Sequence, residues 1–210
     1  MVTVVDESPN PGVLGLAVAA DGTVYYALAN HTIRRWSPTG GVSTLAGTPG
    51  VAGAADGVGT AARFHNPSGL AVDAGGTLYV ADRDNHRIRK ITSAGAVTTV
   101  AGSTAGFADA VGTAAQFHTP MGVAVRPDGS LLVADWGNAR VRLVAGDGRV
   151  TTYAGRGVVG LADGPAAQAT FASPVSVAVD AMGWTYVGDA VAGSGGDPSL
   201  GSGNNHVRLL

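Results

Sequence analysis

Short apolar segments recur along the chain, and turns rich in glycine, aspartate and asparagine separate them. In the second quarter of the chain, four such segments follow one another, at 69–72, 77–81, 87–91 and 97–100. Short apolar runs bounded by turn residues predict β-strands that pair as hairpins. The pattern therefore predicts a unit of four antiparallel strands, which we name a to d.

This unit of four strands occurs four times. The predicted a strands begin at Gly15, Gly69, Gly122 and Ser176, at intervals of 54, 53 and 54 residues. A period of this length is typical of stacked units, and four antiparallel strands per unit are typical of a β-propeller blade. We therefore predict an all-β fold, a four-bladed β-propeller in one domain over residues 1–210. The predicted repeats span about 11–66, 67–119, 120–173 and 174–210.

The two ends of the chain suggest how the ring closes. The fourth repeat ends in a c strand and has no d strand, whereas residues 2–5, Val-Thr-Val-Val, are similar to the d strand at 97–100. Pairing of residues 1–5 with the last blade would remove an exposed strand edge. We expect this closure, and we expect the small residues of the a strands to line a narrow central axis.

The second repeat has the sequence Pro-Ser-Gly-Leu-Ala-Val-Asp at 67–73 and Leu-Tyr-Val-Ala-Asp-Arg-Asp-Asn-His-Arg-Ile-Arg-Lys-Ile at 78–91, which closely resembles the NHL repeat. The third repeat matches at 133–142 without the histidine, the first keeps Asn30 and His31, and the fourth is interrupted before His206. The resemblance extends over essentially the whole chain. It implies a propeller that binds protein or RNA or, more rarely, is catalytic, and that more often has six blades.

Composition narrows the function classes. The net charge is −2 and only 13% of residues are charged, so the chain lacks the basic excess that binds a phosphate backbone, and we expect no nucleic-acid partner. Cysteine is absent, which excludes disulfides and thiolate chemistry. No apolar run approaches the roughly 20 residues of a membrane span, so we expect no membrane partner. The first residues lack a signal-peptide pattern, and the compartment stays open, secretion included.

All five histidines are predicted on one face of the propeller, because the b–c turns and the connections from strand d to the next strand a lie at the same end of the strands. The five are His31, His65, His86, His118 and His206. One hypothesis is a zinc site, since imidazole is a common zinc ligand. The other is that each copy of a repeated turn motif contains one histidine and that these histidines form no metal site. We expect no cofactor, with zinc or calcium as the alternatives, calcium through a ring of b-strand aspartates.

The b–c hairpins carry a second set of candidates. Asp82 faces Arg87 across one hairpin, Asp135 faces Arg140 across the next, and the first repeat lacks both members of the pair. Their joint loss predicts structural ion pairs between Asp82 and Arg87 and between Asp135 and Arg140.

Long connections lead into strand a of the second, third and fourth repeats. Each contains an Ala-Ala pair and ends in a phenylalanine, Phe64, Phe117 or Phe171, which predicts a short helical turn held by that side chain between blades. Trp136 lies in a b–c turn, as either an interaction anchor or a cover over the groove between blades. A Gly- and Ser-rich insertion at 190–203 is either a lid or a passive loop.

No nucleophile motif is present. We therefore predict a monomeric, non-catalytic binding or protein-interaction scaffold that holds a protein or small ligand on the long-loop face. Its binding residues would be His31, His65, His86, His118, Trp136 and His206. The alternative is a metal-dependent hydrolase or lyase at that face, which stoichiometric zinc or calcium in the purified protein would favour.

Overall fold

The computed structural model describes residues 12–190 and 205–210. Its strands are β1 Val13–Val18, β2 Val24–Leu28, β3 Thr32–Ser37, β4 Gly41–Ala46, β5 Gly57–Val58, β6 Pro67–Val72, β7 Leu78–Asp82, β8 Arg87–Ile91, β9 Ala96–Gly102, β10 Pro120–Val125, β11 Leu131–Asp135, β12 Arg140–Val144, β13 Val150–Ala154, β14 Pro174–Val179, β15 Thr185–Ala190 and β16 Asn205–Leu209. Short 3-10 helices lie at Gly59–Ala61, Arg83–Asn85, Gly112–Ala114 and Trp136–Asn138. In these described ranges no helix is long and apolar enough to cross a membrane.

The strands form four antiparallel sheets, arranged as a four-bladed β-propeller, as the repeats predict. Blade 1 contains β1 to β4, blade 2 β6 to β9, blade 3 β10 to β13, and blade 4 β14 to β16. β5 adds to blade 2 at its outer edge by pairing with β9. Each blade is an up-and-down sheet, so every b–c turn lies at the same end as the connection into strand a.

The innermost strands are β1, β6, β10 and β14, and each packs beside the next in that order. Glycine makes this close approach possible: a Cβ on Gly69 would lie 2.6 Å from the Met121 carbonyl oxygen and 2.7 Å from the Gly122 Cα. Because a real Cβ never comes so close to backbone, a larger residue here would push neighbouring blades apart. The predicted small residues near the axis are confirmed at these positions.

Three apolar cores lie between successive blades. Phe64, Phe117 and Phe171 are each fully buried in one of them. The predicted helical turn precedes Phe64 at Gly59–Ala61 and Phe117 at Gly112–Ala114. The long connections are therefore packed parts of the scaffold, and they fix the backbone that follows each phenylalanine.

Two predictions fall outside the described residues. They are the closing strand at 1–5 and nearly all of the insertion at 190–203. Within the described residues, β1 and β14 do not pack side by side as the other inner strands do.

Candidate binding face

The b–c turns and the connections into strand a place four histidines in two pairs. The imidazole rings of His31 and His65 are 5.4 Å apart at their centroids, and those of His86 and His118 are 6.0 Å apart. In each pair one ring comes from the b–c turn of a blade and the other from the connection into the following blade. We name the surface that carries these four histidines and Trp136 the histidine face. The fifth histidine, His206, is an exposed residue of β16 opposite Asp189.

His31 and His86 each tie one blade to the next. Both adopt a left-handed backbone conformation, with φ of 71° and 56°. The Nδ1 atom of His31 accepts a hydrogen bond from the backbone N–H of Asn66 at 3.1 Å, and Nδ1 of His86 accepts one from Thr119 at 3.0 Å. An accepting Nδ1 in a neutral ring leaves the proton on Nε2. Each ring is therefore a fixed tautomer with a donor on Nε2.

The surroundings of these two rings favour the neutral form. Burial and the neighbouring His65 lower the pKa of His31, and burial and the neighbouring His118 lower the pKa of His86. Because the ordinary histidine pKa is about 6.5, both rings are neutral at pH 7.

Asp84 lies between the two histidine pairs, 3.9 Å from Nε2 of His65. Its carboxylate accepts hydrogen bonds from Nε of Arg83 at 2.9 Å and from Nδ2 of Asn66 at 2.6 Å. Burial acts to raise the pKa of Asp84, but the bonds from Arg83 and Asn66 outweigh it and lower that pKa. The carboxylate is thus ionised and already paired.

A zinc site would need three ligands around one point. Across residues 12–190 and 205–210, no three His, Cys, Asp or Glu side chains are placed to hold one metal ion. The b-strand aspartates proposed as a calcium ring, Asp82, Asp135 and Asp189, are instead buried, and each is bonded to groups of its own blade and of the connection that leads into it. The histidines are brought together in pairs, and the aspartates are not brought together.

The predicted ion pairs of Asp82 with Arg87 and of Asp135 with Arg140 are wrong in their arginines. Nη1 of Arg89, and not Arg87, lies 2.7 Å from the Asp82 carboxylate, while Arg87 donates to the Ala54 carbonyl oxygen. Arg87 stands opposite Asp82 in the ladder, at the strand end, where its side chain extends to the neighbouring connection. Arg89, two residues further along the same side of the strand, is fully buried and reaches back diagonally.

The same difference from the predicted ion pair occurs in blade 3. Arg142 pairs with Asp135 at 2.8 Å, whereas Arg140 donates to the Arg156 carbonyl oxygen and lies 3.9 Å from the centroid of the Phe107 ring. The sequence does contain the signal for the true partner: an arginine occupies this place in all four repeats, as Arg34, Arg89, Arg142 and Arg208. The arginine at the predicted place occurs in only two.

These buried pairs position the histidine face. One oxygen of Asp82 accepts the backbone N–H of His65 at 2.8 Å, and one oxygen of Asp135 accepts that of His118 at the same distance. Nη2 of Arg89 also binds Asp56 of the long connection at 2.7 Å. Arg89 therefore links the b strand of its blade, through Asp82, to the connection that leads into that blade and carries His65. Arg142 makes the same link in blade 3, through Asp135 and Asp109.

Residues 64–91 match the NHL repeat. The match covers one of the four repeats, and over that segment the chain is similar to NHL-repeat proteins. Human Teneurin-4 is 36% identical in an alignment of 99 residues that covers 40% of this chain and 4% of Teneurin-4. The chain therefore spans a small fraction of that relative.

Solved structures share the propeller fold of this chain. An auxiliary nutrient binding protein from Bacteroides thetaiotaomicron superposes with a TM-score of 0.69 at 20% identity, over 94% of this chain and 48% of that one. Virginiamycin B lyase from Staphylococcus aureus superposes with a TM-score of 0.59 at 16% identity, over 97% and 57%. The chain spans about half the length of these structures, and at such identities the likeness concerns the fold alone.

Trp136 is the large apolar residue of the histidine face. It belongs to the b–c turn of blade 3, and 41% of its surface is exposed. In the same turn the N–H of Gly137 donates to the His118 carbonyl oxygen, and a Cβ on Gly137 would lie 2.6 Å from the His118 ring. The turn therefore holds Trp136 next to His118. Its exposure favours the anchor hypothesis over the groove cover.

The opposite face of the propeller has a cavity of about 470 Å³ among the a–b turns. Its polar lining includes Asp73, Arg126 and Asp180. Asp73 and Asp180 accept hydrogen bonds from their own turns, from Thr77 and from Trp184. The sequence does not reveal this cavity, because no motif marks it and three separate repeats form it.

The two histidine links predict a loss of stability in mild acid. Their pKa is lower in the folded chain than in the unfolded chain, so the unfolded chain takes up protons first as the pH falls through about 6.5. The links therefore stabilise the fold above that pH and are lost below it. We expect the thermal midpoint of the wild-type protein to fall more between about pH 7.5 and about pH 5.5 than that of the double variant His31→Ala, His86→Ala.

Alanine suits this substitution, since Ala139 occupies the equivalent left-handed position in blade 3 with φ of 49°. At pH 7.5 the double variant should lose about 1 kcal/mol for each hydrogen bond removed. Equal dependence of the midpoint on pH in both proteins would show that the two histidines are not the titrating links.

Proposed function

We propose that the histidine face is a binding surface and that the chain is a non-catalytic NHL-repeat scaffold for a protein or peptide partner. The observation that carries this proposal is an exposed tryptophan in a turn that is hydrogen-bonded to the fixed backbone of His118. Trp136 is exposed, and the neighbouring backbone at His118 is fixed by the buried Asp135. Rigid aromatic anchors of this kind dominate the energy of protein interfaces.

The charge of the face also favours a partner with little net charge. The rings of His31 and His86 are neutral at pH 7, and the Asp84 carboxylate is occupied by Arg83 and Asn66. Such a face offers ring surface and N–H donors without a free charge. Binding should therefore depend weakly on salt, because screening acts on net charges.

The solved structures that share this fold include a binding protein and a lyase. One structure of the same fold is described as a nutrient binding protein. Another structure of the same fold is virginiamycin B lyase, at 16% identity. Fold alone does not select a function, so the proposal depends on the face itself.

The test is selection of peptides from a random displayed library, followed by affinity measurements on tryptophan variants. For peptides that bind through the histidine face, Trp136→Ala should weaken binding by about thirtyfold, the effect of losing an interface anchor. The matched control is Trp184→Ala, because Trp184 is 50% exposed but lies beside an a–b turn on the opposite face. Its replacement should leave affinity within about twofold.

Two results would contradict the proposal. One is selected peptides whose affinity depends on Trp184 and is unchanged by Trp136→Ala. The other is a library that yields no binder at all, which would remove the support for a peptide-binding face.

A further inference from the structure

The two end blades each expose an apolar sheet face. On blade 1, Leu16 is 59% exposed, and Val18 and Val42 are exposed beside it. On blade 4, Val207 is 80% exposed, and Tyr186 and Leu209 are exposed beside it. We name these surfaces the blade 1 face and the blade 4 face.

The three internal joints show what the blade 1 face would contact. Leu16 corresponds in the repeat to Leu70, Val123 and Val177, which are 8%, 5% and 9% exposed. Each of these three packs against the blade before it in a core between blades. The blade 1 face is thus the receiving half of a joint between blades.

The blade 4 face is the other half of the same joint. Val207 corresponds to Ile33, Ile88 and Val141, which are fully buried against the blade that follows. Tyr186 corresponds to Tyr25, which is buried in the core between blades 1 and 2. The molecule therefore carries both halves of a fourth joint, with the residue types that make the other three.

The described residues do not join these halves within one molecule. Inner strands pack in the order β1, β6, β10, β14, and β14 does not continue beside β1. In agreement, Ser176 and Ala178 of β14 are exposed, whereas the corresponding Gly122 and Ala124 of β10 are buried. Among the described residues, the apolar side chains of both end faces are exposed.

We propose that the blade 4 face of one molecule packs on the blade 1 face of a second copy of this chain. A second copy is the partner because it carries the matching half of the joint, in the same repeat register as the internal joints. The contact is head-to-tail, so it closes into a ring of copies or continues as a chain, depending on the rotation between them. This proposal differs from the prediction of a monomer, and it does not depend on the function proposed for the histidine face.

The first test is the molar mass of the whole chain, measured by light scattering during size-exclusion chromatography. At about 100 μM the mass should be at least twice the 20.7 kDa of one chain, and it should fall on dilution. A single-chain mass at that concentration would overturn the proposal.

The second test uses one variant for each face. Leu16→Asp places a carboxylate in the blade 1 face, and Val207→Asp places one in the blade 4 face. Either change should prevent the joint, so each variant alone should have the mass of one chain. Mixed together they retain one intact joint, and they should form a one-to-one complex. Because both side chains are exposed within one molecule, neither substitution disturbs a core, and circular dichroism checks that each variant is folded.

The matched control is Val58→Asp, since Val58 is an exposed valine of β5 away from both end faces. This variant should assemble like the wild-type protein. A mixture of the two face variants that stays at the mass of one chain would contradict the head-to-tail joint. Trp136→Ala should leave the assembly unchanged, which separates this test from the test of binding.

Discussion

Replacing Arg89 by methionine is expected to lower the free energy of unfolding by about 3–5 kcal/mol, because it leaves the Asp82 carboxylate buried without its cation. Both side chains are fully buried, and Arg89 also holds Asp56 of the long connection. Methionine keeps most of the apolar stem of arginine. The loss in free energy of unfolding therefore measures the contribution of the charge and its hydrogen bonds. Urea unfolding at pH 7 measures the effect.

The matched control is Arg87→Met on the same strand. Arg87 makes one hydrogen bond, to the Ala54 carbonyl oxygen, and has no carboxylate partner among the described residues. Its replacement should cost less than about 1 kcal/mol. If Arg87→Met lowered the free energy of unfolding as much as Arg89→Met, then Arg87 and not only Arg89 would stabilise the Asp82 carboxylate.

Replacing Phe117 by alanine is expected to cost about 3–5 kcal/mol, the range for deleting a fully buried aromatic side chain. Phe117 fills the core between blades 2 and 3, where it packs with Ile88 and Val133. Since His118 follows directly in the chain, the same change should also loosen the histidine face. Thermal and urea unfolding give the stability, and hydrogen exchange around residue 118 gives the local effect.

Phe107 provides the comparison within the same connection. Its ring is exposed and lies against the guanidinium groups of Arg140 and Arg142. Phe107→Ala should therefore cost only about 1 kcal/mol, the size of a cation–π contact near the surface. Equal costs for the two phenylalanines would mean that the connection is not held by Phe117.

The strands and their order could be predicted because each repeat carries its own local signals. An apolar run such as 78–81 and a turn such as Arg83–Asn85 determine a hairpin without help from distant residues. Four copies of this pattern then establish the blades. β5 was not predicted, because Gly57–Val58 has no apolar pattern of its own and pairs only where the connection folds back beside β9.

The chemistry of the face was harder to predict. Topology alone puts His31 and His65 at the same end of the blades, but the 5.4 Å between their rings depends on how closely two blades pack. The partner of Asp82 depends on side-chain length and burial as well as on strand register, so the residue directly opposite it was the wrong choice. The two open end faces depend on the relative placement of the first and last blades, which no local signal contains.

The most direct test of the central claim is hydrogen–deuterium exchange of the protein with and without a selected peptide. If the histidine face binds, protection should concentrate in the b–c turns, at 83–86 and 136–139, and in the connections at 65–66 and 118–119. The a–b turns around Asp73 and Asp180, on the opposite face, should exchange at the same rate in both samples. Protection of the a–b turns, with no change at the b–c turns, would contradict the account.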